Sequence, residues 1–433
     1  MKPGHAPTTE SAPVQSSERA DILDILRGFA LLGIALANYG MLSYYKLLPP
    51  EVAASLPGAS VDRWLNYFST LFLEGKFYSL FSMLFGVGFA VIISRKDKSG
   101  KTRLGLFYRR LFILMLFGIA HSLLIWDGDI LLFYGLVGML LPLFTSFENK
   151  TTIIIAGVLL LSPLVFDTAK ILSNGKLNIA TPVMHLGKDV DKQLGITEEN
   201  VSAWLANNDS YMDQLRWNQA GSIWTLYFRM EGNRIPKVLA MFLLGMCAGR
   251  AGLHINLTKY KSKLPGVQRI GFAIGIPAGI MMIYVREKNM FLPDANGIWG
   301  TLAYALNVTS LSLAYAATLC LWYLKPAMKS KLNFLRPMGR MALTNYITQS
   351  VVGVILFAPA FLALGGFIGP TVYFPIAIAV YSFQMGASHV WFRYFDYGPL
   401  EWIWRQLTYG RRLRILRSSP KNDVLNHVDF TAR

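Results

Sequence analysis

The chain has 433 residues, of which 53% are hydrophobic and only 15% are charged, with a formal net charge of +17. Soluble globular chains carry about a quarter charged residues; this one alternates apolar stretches of about 20 residues with short basic clusters, the pattern of repeated membrane spans. The positive charge lies between the apolar stretches, where it marks loops and meets anionic lipid, and that placement argues against nucleic-acid binding.

Residues 1–20 are rich in Pro, Ser and Thr and read as a disordered cytoplasmic N-terminus. The apolar run Gly28–Ala37 behind Arg27 imitates a secretory signal, but the apolar character resumes through Met41 and Leu42, and Asp24 stands where signals are basic. It is therefore expected to be a retained first span. Spans are expected at 22–44, 75–94, 105–126, 129–147, 151–171, 234–253, 267–285, 298–324, 338–364 and 370–391. An amphipathic stretch from Val61 to Leu73, with Trp64, Tyr67 and Phe68, suits the interface ahead of the second. Basic clusters fall on alternate loops: Arg95, Lys96, Lys98, Lys101 and Arg103; Lys259, Lys261, Lys263 and Arg269; Lys325, Lys329, Lys331 and Arg336; and Arg411, Arg412, Arg414 and Arg417. The turns Trp126–Asp129 and Gly365–Pro370 carry no positive charge.

The fold expected is thus all-α, a polytopic transmembrane bundle of about ten spans with both termini cytoplasmic (N-in/C-in). Residues 21–171 form a first five-span half, 172–233 a polar extracytoplasmic loop with Trp204 and Trp217, and 234–397 a second five-span half. Residues 398–433 form an interfacial helix and a basic cytoplasmic tail, with Glu401 and Arg405 spaced to pair. No internal repeat supports inverted symmetry. Cys247 and Cys320 lie in apolar runs and act as small hydrophobes, with no disulfide framework or metal-ligand spacing.

Ionisable groups at membrane depth are costly, so each is a candidate for function. Asp24 and Arg27 are three apart and can pair, either as an anchor of the helix end or as part of a site. Asn38, about 16 Å further along the axis, could bond a neighbouring helix or hold a ligand. His121 lies about a turn and a half from Asp127 and Asp129. That set can act as a general base oriented by a carboxylate, or as an interhelical hydrogen bond with Asp129 as an N-cap. Glu74 and Lys76 read as a snorkelling pair. Asn345 and Gln349 share a helix face, as do Arg340 and Thr344, which suits packing between helices; Arg340 could also hold a phosphate.

Five motifs together resemble one family. Asp24-x-x-Arg27-Gly28-Phe-Ala-Leu-Leu-Gly33, Leu80-Phe-Ser-Met-Leu-Phe-Gly86, His121 with Gly128-Asp-Ile-Leu131, Gly339-Arg-Met-Ala-Leu-Thr-Asn-Tyr346 with Gln349-Ser350, and Tyr397-Gly-Pro-Leu-Glu-Trp402 look like the DUF418 (YeiB-like) membrane proteins of bacteria, in order and over nearly the whole chain. The opening motif is similar to that of the transmembrane acyltransferases of the heparan-glucosaminide acetyltransferase and acyltransferase-3 types. Those proteins pass an acyl group from cytosolic acyl-CoA to an acceptor across the membrane. In the acyltransferase-3 type a histidine follows the arginine of the first span; Asn38 fills that place here.

Asparagine cannot take a proton at neutral pH. The resemblance therefore implies that His121 with Asp127 or Asp129 supplies the base while Asn38 positions or stabilises. It assigns Arg27, Arg109 and Arg110 to CoA phosphates. The expectation is a multi-pass protein of the bacterial inner membrane, in contact with lipid, with acyl-CoA as co-substrate, an extracytoplasmic acceptor and no metal or resident cofactor. The rival expectations are a transporter or exporter of a small metabolite and a non-catalytic scaffold. Oligomeric state is not legible.

Overall fold

In the computed structural model the described residues, 21–95, 102–197, 209–288 and 297–417, are helical and form no named strand. Residues 1–20, Lys96, Lys98, Lys101, Trp204 and the tail beyond 417 lie outside them. The helices are α1 (Asp21–Leu42), α2 (Pro50–Ser55), α3 (Ala59–Phe68), α4 (Lys76–Ser94), α5 (Leu104–Leu124), α6 (Leu131–Gly138), α7 (Asn149–Leu172), α8 (Thr181–Leu194) and α9 (Tyr211–Glu231). There follow α10 (Arg234–Arg250), α11 (Leu264–Glu287), α12 (Gly297–Tyr323), α13 (Pro326–Leu332), α14 (Arg336–Arg340), α15 (Ala342–Phe357), α16 (Pro370–Tyr394) and α17 (Pro399–Tyr409).

Six of the described helical segments are long and apolar enough to cross a membrane: α1, the segment Ala59–Ser94, α5, α7, α11 and α12. The apolar surface shows what surrounds them. Only 22% of the apolar window of α7 is buried inside the molecule, and Ile154, Val158 and Val165 face outward. Water would penalise such a surface, whereas lipid covers it at no cost. The protein is a membrane-embedded all-α bundle.

Two expected spans are not continuous helices: 338–364 breaks at Met341 between α14 and α15 and leaves the helix after Phe357, and 129–147 is interrupted as well. Over 129–147 the chain forms α6, of eight residues, and then the 3-10 turn Leu141–Phe144. Gly138 and Pro142 end the helix there, because glycine is a poor helix former and proline lacks the N–H a following turn needs. Eight residues rise about 12 Å, less than half of a hydrocarbon core.

Helix association in lipid depends on close packing and interhelical hydrogen bonds more than on escape from water. The motif glycines serve this directly. Gly28 of α1 packs on the Leu335 backbone, and Gly339 of α14 lies against the Asp24 carbonyl and the Gly28 N–H, so that a Cβ on either would overlap the other chain segment. Gly86 and Gly245 bring α4 and α10 together in the same way.

The described parts of the long polar segment are helical. Its helices α8 and α9 are joined by the Trp224 indole N–H donating to Asp191 Oδ2 at 2.8 Å, and α9 rests on the end of α5 through the Ser122 and Ser222 hydroxyls at 2.7 Å. The amphipathic stretch becomes α3 and a π-helical turn, Ser69–Leu73. Trp64 is exposed on one face, while buried Asp62 on the other accepts from the Thr371 N–H at 2.7 Å and caps α16.

Candidate functional site

Helix α1 presents Asp24, Arg27, Leu31, Ile34, Asn38 and Met41 at three- and four-residue spacing, which places them on one face. That face forms one wall of a cavity of about 1130 Å³. The cavity runs along α1 from Leu23 to Met41, about 27 Å of helix, and reaches Lys46 beyond it. It therefore joins an Arg27 end to an Asp127 end.

At the Arg27 end Arg27 Nη1 meets Asp24 Oδ1 at 2.6 Å, as the spacing predicts, while buried Asp24 Oδ2 has no hydrogen-bond partner. Arg110 lies over the Trp404 ring at 4.0 Å, and Arg340 lies over Phe392 at 3.9 Å while donating to the Asp396 carbonyl. Arg27, Arg110, Arg340 and Arg405 all line the cavity. Arg109 does not: one residue along α5 it faces away, exposed, beside Gly410, because adjacent helix positions do not share a face. Glu401 accepts from the Leu343 and Thr344 N–H groups and from the Thr344 hydroxyl, and so caps α15. Beyond the expected pairing with Arg405, the otherwise unsatisfied N–H groups at the start of α15 occupy its carboxylate. Burial raises the Glu401 carboxyl, and these hydrogen bonds oppose the rise.

Midway, Asn38 lines the cavity and its amide has no hydrogen-bond partner among the described residues. The two amides of α15 behave otherwise. Asn345 donates to the Met338 carbonyl and to Ser388 Oγ, both at 3.1 Å, which is packing between helices. Gln349 is buried away from the cavity with neither amide atom partnered, and its carbonyl accepts from the Tyr39 hydroxyl.

At the other end the turn between α5 and α6 separates the three residues that the sequence grouped. His121 Nδ1 and Asp129 Oδ2 are 2.9 Å apart with both side chains buried, and Asp129 Oδ1 accepts from the Leu132 N–H at 2.8 Å as the cap of α6. The Arg229 guanidinium donates to the Asp129 carbonyl. Buried His121 Nε2 has no partner; the ring packs 5.2 Å from Tyr346, whose hydroxyl accepts from the Ile130 N–H. Neither His121 nor Asp129 lines the cavity, but Asp127 does. Burial pushes the Asp127 carboxyl up to about 6, with an opposing backbone hydrogen bond and the nearby Arg229 charge.

Sequence reasoning missed the cations around Asp127. Arg229, Arg234, Arg286 and Lys46 line this end together with Glu74, Tyr78 and Tyr304. Glu74 does not pair with Lys76. Gly75, at φ +86, turns the chain between them, and Glu74 instead meets Lys46 and Arg286, each at 2.9 Å. Lys76 is buried and donates to the Thr70 carbonyl at 2.6 Å. A signal was present: in the expected topology these four cations lie on the outward side, where the positive-inside rule disfavours them.

The family model described as "Protein of unknown function (DUF418)" matches residues 248–411, which hold Arg286, Arg340, Tyr346 and Glu401. The chain is 32% identical over 414 residues to "Uncharacterized protein YxaH" of Bacillus subtilis (strain 168), covering 92% of this chain and 96% of the relative. It belongs to the DUF418 family. This DUF418 chain is also 28% identical to "Uncharacterized protein YeiB" of Escherichia coli (strain K12), over 90% of its own length and 96% of the relative's. It is 28% identical to "Uncharacterized 39.9 kDa protein in amylase 3'region" of Bacillus acidopullulyticus, over 93% and 98%. No solved structure matches.

Proposed function

We propose that this DUF418 protein transfers an acyl group from cytosolic acyl-CoA to an acceptor at the opposite face of the bacterial inner membrane. The observation that carries the reading is the single cavity joining arginines at one end, through Asn38, to Asp127 at the other. With the Arg27 end cytoplasmic, as the alternating basic loops imply, Arg27, Arg110 and Arg340 hold the CoA phosphates, and the acyl thioester extends along the α1 face. Arg109, outside the cavity, contributes charge at the entrance.

Asp127 as carboxylate takes the proton of the acceptor hydroxyl or amine, whose oxygen or nitrogen forms the new bond to the acyl carbon. The C–S bond breaks, and the CoA thiolate leaves and is protonated from solvent. A carboxyl near 6 is matched to neutral-pH base work. The unpartnered Asn38 amide donates to the oxyanion that forms on the acyl carbonyl. His121 acts through Asp129, holding the turn that aims Asp127, and does not touch the acceptor. Asp24 orients Arg27, while Asn345 and Gln349 hold α15 against its neighbours.

A carrier reading draws on the same cavity, because basic residues line both of its ends. Two measurements separate the readings. Purified protein with radiolabelled acetyl-CoA and a panel of sugars should lose acyl label from CoA, and Asp127→Asn should stop the loss. No acyl loss, together with no CoA binding by calorimetry, overturns the transfer reading; uptake of an unmodified anion into proteoliposomes would replace it with the carrier.

A further inference from the structure

The Asp127 end carries more positive charge than its own acids neutralise. Four cations, Lys46, Arg229, Arg234 and Arg286, converge there from four different parts of the chain, against Glu74 and Asp127. Lys46 and Arg286 are engaged with Glu74, and Arg286 also donates to Thr70 Oγ1 at 2.7 Å. Arg229 is held by the Asp129 carbonyl and lies over Phe133. Arg234 is different. Its guanidinium lies 5.3 Å over the Tyr78 ring, lines the cavity, and makes no hydrogen bond or ion pair among the described residues.

A guanidinium carries five N–H donors in a fixed fork, and placing it partly buried without an acceptor costs far more than leaving it in water. The Tyr78 and Tyr304 hydroxyls, 3.0 Å apart, line the same end and add two polar groups that can turn toward a ligand. A net charge of about two positive units in a low-dielectric recess suits a dianion, and Arg forks match its oxygens in pairs.

We propose that the Asp127 end is a binding site for a dianionic phosphate group, with Arg234 as its principal ligand and Arg229, Arg286 and Lys46 supplying the surrounding field. Read together with acyl transfer, this names the acceptor class: a molecule bearing a phosphate beside the hydroxyl or amine that Asp127 deprotonates. That title rests on the transfer reading; the anion site itself rests only on the cavity and its charges.

The test uses purified full-length protein with no acyl-CoA present, so its failure and the failure of acyl transfer are separate results. Inorganic phosphate, titrated by calorimetry at fixed ionic strength against chloride, should bind. Arg234→Gln should weaken that binding by at least about tenfold, the loss of a charged hydrogen-bonding partner. Arg234→Lys should weaken it less, and it keeps the test open if the Gln variant does not fold. Nanodiscs of phosphatidylcholine with and without phosphatidic acid identify the source of the ligand. If phosphatidic acid competes with phosphate, the bound group belongs to a membrane lipid; if it does not and phosphate still binds, the ligand is a soluble phosphate ester. No phosphate binding beyond the chloride control, unchanged affinity in both Arg234 variants, or a loss produced by Arg27→Gln instead, overturns the proposal.

Discussion

Asp127 and Asp129 stand two residues apart in one turn, yet their surroundings are opposite. The protein itself fills the carboxylate of Asp129: one oxygen faces His121 and the other caps α6, with the ring of Tyr346 closing the pocket against the imidazole. Asp127, across Gly128, looks into the cavity toward Arg229 and packs against Gly221 of α9 so closely that a Cβ there would overlap its carboxylate. A buried carboxylate that is fully bonded holds structure together, whereas one facing an open recess retains capacity for a ligand or a proton. On the proposed reading, a histidine beside a carboxylate does not by itself locate the chemistry.

The sharpest way to break this comparison is to neutralise each acid in turn. Asp127→Asn should lower acyl transfer by about 10²–10⁴-fold, the usual contribution of a positioned base, with the melting temperature held or raised. If the variant keeps wild-type turnover, Asp127 is not the base. Asp129→Ala should do the reverse. It leaves His121 without its hydrogen-bond partner and α6 without its cap, costing about 2–4 kcal/mol, and should appear first as a lowered melting temperature in detergent. A variant that melts like wild type would remove the structural role assigned to Asp129.

The same contrast has a pH signature. The Asp127 carboxyl stands near 6 in the folded protein against an ordinary 3.8, so the fold binds its proton more tightly than the unfolded chain does. The stability this contributes is complete below about pH 4 and is lost as pH rises through 6, a change on the order of 2–3 kcal/mol. Melting curves of wild type should decline across that window relative to Asp127→Asn, while transfer rises as the carboxylate forms. Parallel curves for the two proteins would mean that Asp127 titrates as an exposed acid does.

The bundle itself was legible from composition and the apolar runs, because lipid forces backbone groups to pair within helices and leaves a simple signature. Gly28 and Gly339 were visible as motif positions, but their contact joins residues more than 300 positions apart and needs the fold. The helix pairing of Asp24 with Arg27 followed from spacing. The fate of Glu74 and Glu401 did not, since the groups that hold each carboxylate lie on other elements. His121 was read correctly as the partner of a carboxylate, but which carboxylate faced the cavity depended on a turn of a few residues. Arg234 entered only as the first residue of the expected span 234–253, where α10 does begin; its position against the positive-inside rule was the available clue to more.

Glu401 gives the smallest of these effects and a control on the others. It lines the cavity at the Arg27 end, as Asp127 does at the far end, but its oxygens are occupied by two N–H groups and a hydroxyl. In Glu401→Gln the amide oxygen can keep the N–H groups of Leu343 and Thr344, and the amide nitrogen can donate to the Thr344 hydroxyl once that hydroxyl turns. Thr344 Oγ1 also accepts from the Leu400 N–H, so its lone pairs become fully used and the exchange should cost about 1 kcal/mol. Turnover at saturating acyl-CoA should stay within about twofold of wild type, because a bonded carboxylate offers neither a free acceptor nor a proton to the reaction. If Glu401→Gln instead matches Asp127→Asn in lost turnover, facing the cavity is enough to make a carboxylate functional there, and the contrast between bonded and open acids fails.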